Sequence, residues 1–292
     1  MRVFVTGASG WIGSAVVDEL LTGGHDVVGL ARSDTSAAAL EAKRVGVLRG
    51  DLDDLDSLRT GAKGADGVIH LANKHDFDHQ AVSNAAERAA VGAIGDALAG
   101  SDRPFVFASG AAGQTETVRS PHHGPDSMRG GSENLGLEYA DQGVRAVAAR
   151  FAATVHGTGD HGFVATLVGI AKERGVSAYV GDGANRWPAV HRSDAACLVR
   201  LGLEAATPGT ILHAVAEEGI PTRTLAEAIG EGLGLPVESI AADDAAGHFG
   251  WIGTFFGMGL SFSSTITQER FGWTPNGPSL IEDLANGAYF PV

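Results

Sequence analysis

The chain has 292 residues, 44% of them hydrophobic, enough to bury the core of one large α/β domain or of a domain with a smaller lobe. With 21 Lys and Arg against 35 Asp and Glu, and a net charge of −14, it lacks the basic stripe that phosphate neutralisation needs, which excludes nucleic acid as a partner. Cys197 is the only cysteine, so an intrachain disulfide and a cysteine-based zinc site are ruled out, and no apolar run reaches the roughly 18 residues of a membrane span.

Arg2–Thr6 is a short β-branched and aromatic run, read as the first strand. Gly7-Ala-Ser9-Gly10-Trp11-Ile12-Gly13 follows at once, and then an apolar-periodic helix over about 11–23. Glycine at 7 permits the tight turn, glycine at 10 lets the backbone approach a pyrophosphate, and glycine at 13 lets the helix pack against the strand. The helix start offers unpaired N–H groups to phosphate. Gly7 to Gly13 is therefore read as a dinucleotide-binding turn, with the spacing Gly-x-x-Gly-x-x-Gly rather than Gly-x-Gly-x-x-Gly. A second strand over 25–30 ends at Ala31-Arg32-Ser33. An acid there would bind the ribose 2′-OH of NAD, whereas an arginine accommodates the 2′-phosphate of NADP. Arg32 and Ser33 favour NADP, and Asp34 is close enough to leave NAD open.

A helix around Ser36–Lys43 leads to a third strand at 45–49 and to Gly50-Asp51-Leu52. Asp51 either accepts a hydrogen bond from the adenine amino group or caps a helix starting near Asp54. Residues 67–72 form an almost unbroken apolar strand of the kind buried on both faces of a parallel sheet. Strands at 105–109 and 144–150 follow, with helices at about 78–100 and 130–142. The alternation predicts an α/β fold with a Rossmann-type, doubly wound parallel sheet. Beyond it come a helix at about 161–174, a strand at 178–180, a loop at 181–188, a helix at 192–206 and a strand at 211–215. Thr224-Leu-Ala-Glu227 reads as a capping box, and Ser264 and Gly272 bracket a later helix. We expect a dinucleotide-binding domain of residues 1–156 plus about 189–206, and a smaller C-terminal substrate-binding lobe of about 157–188 plus 207–292.

Thr6-Gly7-x-x-Gly10-x-x-Gly13, Gly50-Asp51-Leu52, His70-Leu71-Ala72, Ser109, Val155-His156-Gly157, Val190-His-Arg-Ser-Asp194 and Phe271-Gly-Trp-x-Pro275 carry a resemblance. Over essentially the whole chain they resemble the extended and atypical short-chain dehydrogenase/reductase superfamily, most closely its NAD(P)-dependent epimerase/dehydratase and 3β-hydroxysteroid-dehydrogenase-like branch. The resemblance implies an adenosine half-site at Gly7, Gly10, Arg32, Asp51 and Leu52. It also implies a nicotinamide half-site under Leu71, Ala72, Ser109 and the segment after residue 150. The family's Tyr-x-x-x-Lys dyad, in which the lysine-assisted phenol protonates the carbonyl, is missing. Tyr139, Tyr179 and Tyr289 lack a lysine four residues on, and the expected place, Pro125 to Glu133, holds Arg129 and no phenol.

Ser109 is then the polar group placed to orient a substrate oxygen, and His75 the candidate proton donor, because an imidazole titrates near 6.5. His75-Asp-Phe-Asp-His79 has a spacing that could hold a metal, yet a helix start or a substrate-binding His75 is the preferred reading and no metal is expected. Met128, His156, Arg186 and Trp187 are expected to meet the substrate beside His75, and the aromatic run His248 to Met258 lines an apolar pocket or the lobe core. The expectation is a soluble, cytoplasmic oxidoreductase with a small-molecule partner, neither nucleic acid nor membrane, and a homodimer left open. It would use NADP (NADPH) on a small to medium apolar carbonyl, alcohol or imine. A catalytically silent NADP-binding regulatory or redox-sensing protein is the alternative class.

Overall fold

The structure, a computed structural model, describes residues 1–76, 79–110 and 115–290, so Phe77 and Asp78 of the His75–His79 segment lie outside the described residues. Its first half runs β1 (Arg2–Thr6), α1 (Trp11–Thr22), β2 (Asp26–Ala31), α2 (Asp34–Ala42), β3 (Gly46–Arg49), α3 (Leu55–Lys63), β4 (Gly67–His70), α4 (Gln80–Leu98), β5 (Pro104–Gly110), α5 (Ser132–Glu138) and β6 (Arg145–Phe151). The second half runs β7 (Thr154–His156), α6 (Phe163–Arg174), β8 (Ser177–Val180), β9 (Arg186–His191), α7 (Arg192–Ala205), β10 (Thr210–Ala214), β11 (Glu217–Pro221) and α8 (Thr222–Leu233). It closes with β12 (Val237–Ile240), α9 (Ala245–Phe249), α10 (Ile252–Gly257), α11 (Thr265–Phe271) and α12 (Leu280–Ala285).

Seven parallel strands make the central sheet in the order β10-β6-β5-β4-β1-β2-β3. Alternate residues of each strand go to opposite faces. Val3, Val5, Ile69, Val106 and Val147 meet α1 and α7 on one side, while Phe4, Val68, Phe105, Phe107 and Ala148 meet α3, α4 and α5 on the other. Both faces are covered, which explains the unbroken apolar runs of the strands. The chain winds outward from β1 to β3 and returns on the far side of β1 as β4, so a switch point opens at the carboxyl ends of β1 and β4. Two small sheets, β11-β9-β7 and β12-β8, build the rest.

Four expectations need correction. Residues 186–191, taken in part as loop, are strand β9: Trp187-Pro-Ala-Val190 is buried throughout, and burial prevails over the turn-like Asp, Asn and Pro around it. The strand at 210–214, expected in the C-terminal lobe, pairs with β6 from Thr210↔Val147 to Ala214↔Phe151 and so extends the main sheet. The helix expected over 130–142 is regular only from Ser132 to Glu138, because Arg129, Gly130 and Gly131 before it have φ of +52°, +61° and +62°. Thr224 caps nothing: α8 begins at Thr222, and Arg223 pairs instead with Glu227 along the helix at 2.8 Å. The reciprocal box lies on α12, between Ser279 and Glu282. Among the described residues no helix is long and apolar enough to cross a membrane.

Candidate active site

At the switch point backbone meets backbone. Gly7 has φ +67°, and a Cβ there would lie 2.8 Å from the Ala72 amide nitrogen; a Cβ on Gly13 would lie 2.0 Å from the Gly7 carbonyl oxygen. Thr6 Oγ1 accepts from the Ala72 N–H at 3.3 Å and meets His70 Nδ1 at 2.7 Å, which fixes the end of β4 beside the turn. Gly10 starts α1 without any side-chain cap, so the first N–H groups of the helix stay available, with Ser9 and Gly10 exposed and Ile12 half-buried behind them. A glycine cradle with an open 12-residue helix start fits a dinucleotide pyrophosphate. Trp11 turns away from it. Its indole N–H donates to the Val155 carbonyl at 2.7 Å and the Arg192 guanidinium covers its ring at 4.3 Å, so Trp11 ties the turn to the segment after β6.

The adenosine end carries an asymmetry of charge. Arg32 is exposed and makes no hydrogen bond or ion pair among the described residues, whereas Ser33 caps α2 through the Ser36 N–H at 3.1 Å. Asp34, the acid that left NAD open, is paired with Arg49 at 2.5 Å. Asp51 is not the cap of α3, a place taken by Asp54; its carboxylate accepts the N–H groups of Asp53 and Asp54 at 2.8 and 3.0 Å beside half-buried Leu52.

At the carboxyl ends of β4 and β5 stand half-buried Leu71 and Ala72 and the buried Ser109. Ser109 Oγ donates to Glu133 Oε2 at 2.6 Å. Glu133 also accepts from Arg150 Nε at 3.0 Å, from Arg150 Nη2 at 2.5 Å and from the Ser120 N–H at 3.2 Å. Burial alone would raise the pKa of Glu133, but the bonds from Arg150 and Ser109 outweigh it and hold the group below the usual carboxylate range. Glu133 is thus ionised, and the Ser109 proton is committed to it, which leaves Ser109 only lone pairs to offer a substrate.

His70 is 2% exposed; burial, then the charge of Arg129, lowers its pKa to about 4, and Nε2 has no hydrogen-bond partner among the described residues. His75 sits at φ +50° with its N–H on Asn73 Oδ1 at 2.7 Å. Although the residue is exposed, enclosure of the ring, then Arg129 and His161, lowers its pKa, which disfavours the imidazolium expected to donate a proton. Arg129 stands where a phenol was sought. Its Nε and Nη2 both donate to Glu87 Oε1, at 3.2 and 2.5 Å, and Asn73 Nδ2 holds Glu87 Oε2 at 2.7 Å.

Three expected substrate contacts fall elsewhere. His156 is fully buried, with Nδ1 on Asp283 Oδ2 at 2.6 Å and Nε2 3.6 Å from Glu217, so it braces β7, β11 and α12 and does not approach a nicotinamide. Trp187 is fully buried, its N–H on Thr154 Oγ1 at 2.7 Å and its ring against Phe163 and Phe256. Arg186 donates to the Gly219 carbonyl at 3.0 Å and bridges β9 to β11. Met128, 57% exposed, keeps an open apolar side chain. The aromatic run divides: Phe249 and Phe256 pack around Trp187, whereas Trp251 and Met258 are exposed. The tyrosines are all occupied elsewhere, Tyr139 with Asp96, Tyr289 with Asp160, and Tyr179 under Arg223. Sequence reasoning missed His70, Glu87, Glu133 and Arg150. A lone histidine inside an apolar strand was a signal for the first, while Glu133 and Arg150 are brought together only by the packing of α5 on β6.

A family model described as the NAD dependent epimerase/dehydratase family matches residues 3–109. An uncharacterised protein of Schizosaccharomyces pombe is 46% identical over 295 residues, covering 99% of this chain and all of the relative. The 2′-dehydrokanamycin reductase of Streptomyces kanamyceticus is 30% identical, covering 82% of this chain and 69% of the relative. The crystal structure of DesIV, a dTDP-glucose 4,6-dehydratase from Streptomyces venezuelae with NAD bound, superposes with a TM-score of 0.76 at 23% identity, covering 99% of this chain and 96% of that one. That similarity is one of fold: a Rossmann-type sheet with the same overall layout. The family match and the reductase relative make this an NAD(P)-dependent enzyme of oxidoreductase or epimerase type. The chain belongs to the NAD-dependent epimerase/dehydratase family of the extended short-chain dehydrogenase/reductase superfamily.

Proposed function

We propose that the protein is an NADPH-dependent reductase of small to medium, mainly apolar carbonyl or imine compounds. The observation that carries the cofactor choice is the pairing at the end of β2: Arg32 has no hydrogen bond or ion pair among the described residues, while Asp34, the acid that could have favoured NAD, is paired at the surface with Arg49. A bound NADPH supplies the hydride. The chain's own part is to hold and orient. The open start of α1 and the Gly7–Gly13 turn take the pyrophosphate, Arg32 takes the 2′-phosphate, and Ala72, pinned by Thr6, takes the nicotinamide end. Exposed Met128, next to Arg129 in the chain, supplies apolar surface for a substrate.

Fluorescence titration of NADPH and NADH against the wild type and Arg32→Ala tests the choice. A charge-assisted contact to phosphate contributes about 1.5–3 kcal/mol, so NADPH should weaken roughly ten- to a hundredfold while NADH barely changes. Equal weakening of both sinks the assignment. A second reading, a silent NADPH-binding sensor, is favoured by one observation: the Ser109 proton is committed to Glu133 and no phenol stands beside it among the described residues. NADPH consumption with aldehydes, ketones and cyclic imines separates the two.

A further inference from the structure

Arg129 is the side chain at the site that the cofactor does not explain. Its backbone is left-handed at φ +52°, a conformation that costs a non-glycine residue energy and persists only where its surroundings impose it. Gly130 and Gly131 continue the same turn against the Asn84 carbonyl and the Gly124 backbone. The turn aims the guanidinium at Glu87, a carboxylate only 3% exposed, which takes Nε–H and one N–H of Nη2 and is itself held by Asn73. Of five guanidinium N–H groups three have no partner among the described residues, both on Nη1 and the outer one on Nη2. Nη1 lies 3.9 Å from where a Cβ on Gly110 would be, at the end of β5 next to Ser109. Gly110 puts no side chain of its own there.

Among the described residues the carboxylate paired with Arg129 is Glu87, which takes only one edge of the guanidinium. His70 and His75 are both held neutral in part by Arg129 itself, and Glu133 is neutralised by Arg150. A clamped cation with spare donors, beside the strand end where the reacting atoms gather, suits an oxygen that becomes negative. We propose that Arg129 is a catalytic residue that binds and stabilises the oxyanion formed from the substrate, which makes the substrate a carbonyl rather than an iminium. This rests on the reductase reading above. The carbonyl carbon gains the hydride as its π pair moves to oxygen; Nη1–H and Nη2–H hold that oxygen, and a proton from water completes the alcohol. Arg129 keeps its own proton, since a guanidinium is not an acid at neutral pH.

The test uses the full chain, Arg129→Met and Arg129→Lys, with three readouts: NADPH affinity by fluorescence, benzoate affinity by calorimetry on the cofactor-free protein, and NADPH-dependent reduction of nitrobenzaldehyde, a neutral activated aldehyde. Arg129→Met is expected to leave NADPH affinity within twofold, to weaken benzoate at least tenfold and to lower aldehyde kcat by about 10²–10³-fold, the loss seen when one oxyanion donor is removed. Arg129→Lys, which keeps the charge and loses the fork, should fall between. Unchanged benzoate binding and unchanged kcat in Arg129→Met overturn the proposal, as does a Lys variant that folds, binds NADPH and matches the wild type in neither anion binding nor rate better than Met does. A wild type that binds NADPH and reduces no carbonyl defeats the reductase reading instead, and benzoate still decides whether Arg129 is an oxyanion site.

Discussion

Trp187 shows how a single residue can be misread and what its true place predicts. Next to Arg186 and Pro188, within a glycine- and polar-rich stretch, its sequence context suggests a substrate loop, yet the indole is enclosed by Phe163 and Phe256 and its N–H is spent on Thr154. Truncating a buried aromatic leaves a cavity as well as lost contacts, a cost of about 3–5 kcal/mol. Trp187→Ala is therefore expected to lower the unfolding free energy by that amount in urea, with NADPH affinity unchanged in the folded protein. A change in substrate range at full stability would restore the residue to the site. Gly13 is the opposite case, a position read correctly from its spacing. With the Gly7 carbonyl 2.0 Å from any added Cβ, Gly13→Ala must push α1 off β1, and cofactor binding should fail.

Among the elements, those with strong local patterns were legible and those fixed by distant contacts were not. The β1 turn, α1, β2 and the buried strands β4 to β6 follow from apolar runs, glycine spacing and alternation. β7 and β9 did not, because β7 is only three residues long, β9 follows the turn-like Asp182 to Asn185, and the two gain their sheet by pairing with each other from Thr154↔Ala189 to His156↔His191. The cofactor half of the site was readable for the same reason, being built from one contiguous turn and one strand end. The polar half was not, since Glu87, the Arg129–Glu133 stretch and Arg150 sit on three separate segments. The α5–β6 contact makes this measurable. Arg150 is fully buried and leans on the Glu133 carboxylate, so Glu133→Gln should leave an uncompensated cation and cost about 3–5 kcal/mol. Adding Arg150→Met should recover part of that loss. If the double variant is as unstable as the sum of the two single ones, the pair is not a coupled unit.

At the scale of the whole molecule, buried histidines of opposite behaviour shape how stability depends on pH, His156 in one direction and His70, joined by His213, in the other. Burial opposes the charged form of His156, but the carboxylates of Glu217 and Asp283 outweigh it and its pKa is raised. The folded state binds its proton more tightly than the unfolded one, so this stabilisation is complete below the ordinary value of 6.5 and is lost as pH rises past it. His70 acts the other way. Burial, then Arg129, brings it from 6.5 to about 4, so the unfolded chain takes up the proton first, and stability is lost as pH falls from 6.5 towards 4. Glu133, held below the usual carboxylate range, adds a loss at still lower pH. Melting temperature against pH should therefore form a dome with two independent sides. His70→Gln should make the limb between pH 6.5 and 4 shallower, with the share of His213 remaining, and leave the alkaline limb in place, whereas His156→Gln should lower the dome most on its acidic side and flatten the alkaline limb. A His70→Gln profile parallel to the wild type between those pH values would mean that the imidazole is already protonated, or hydrated, in the folded protein. A neutral ring, bonded to Thr6 through Nδ1 and without a described partner at Nε2, would then be wrong.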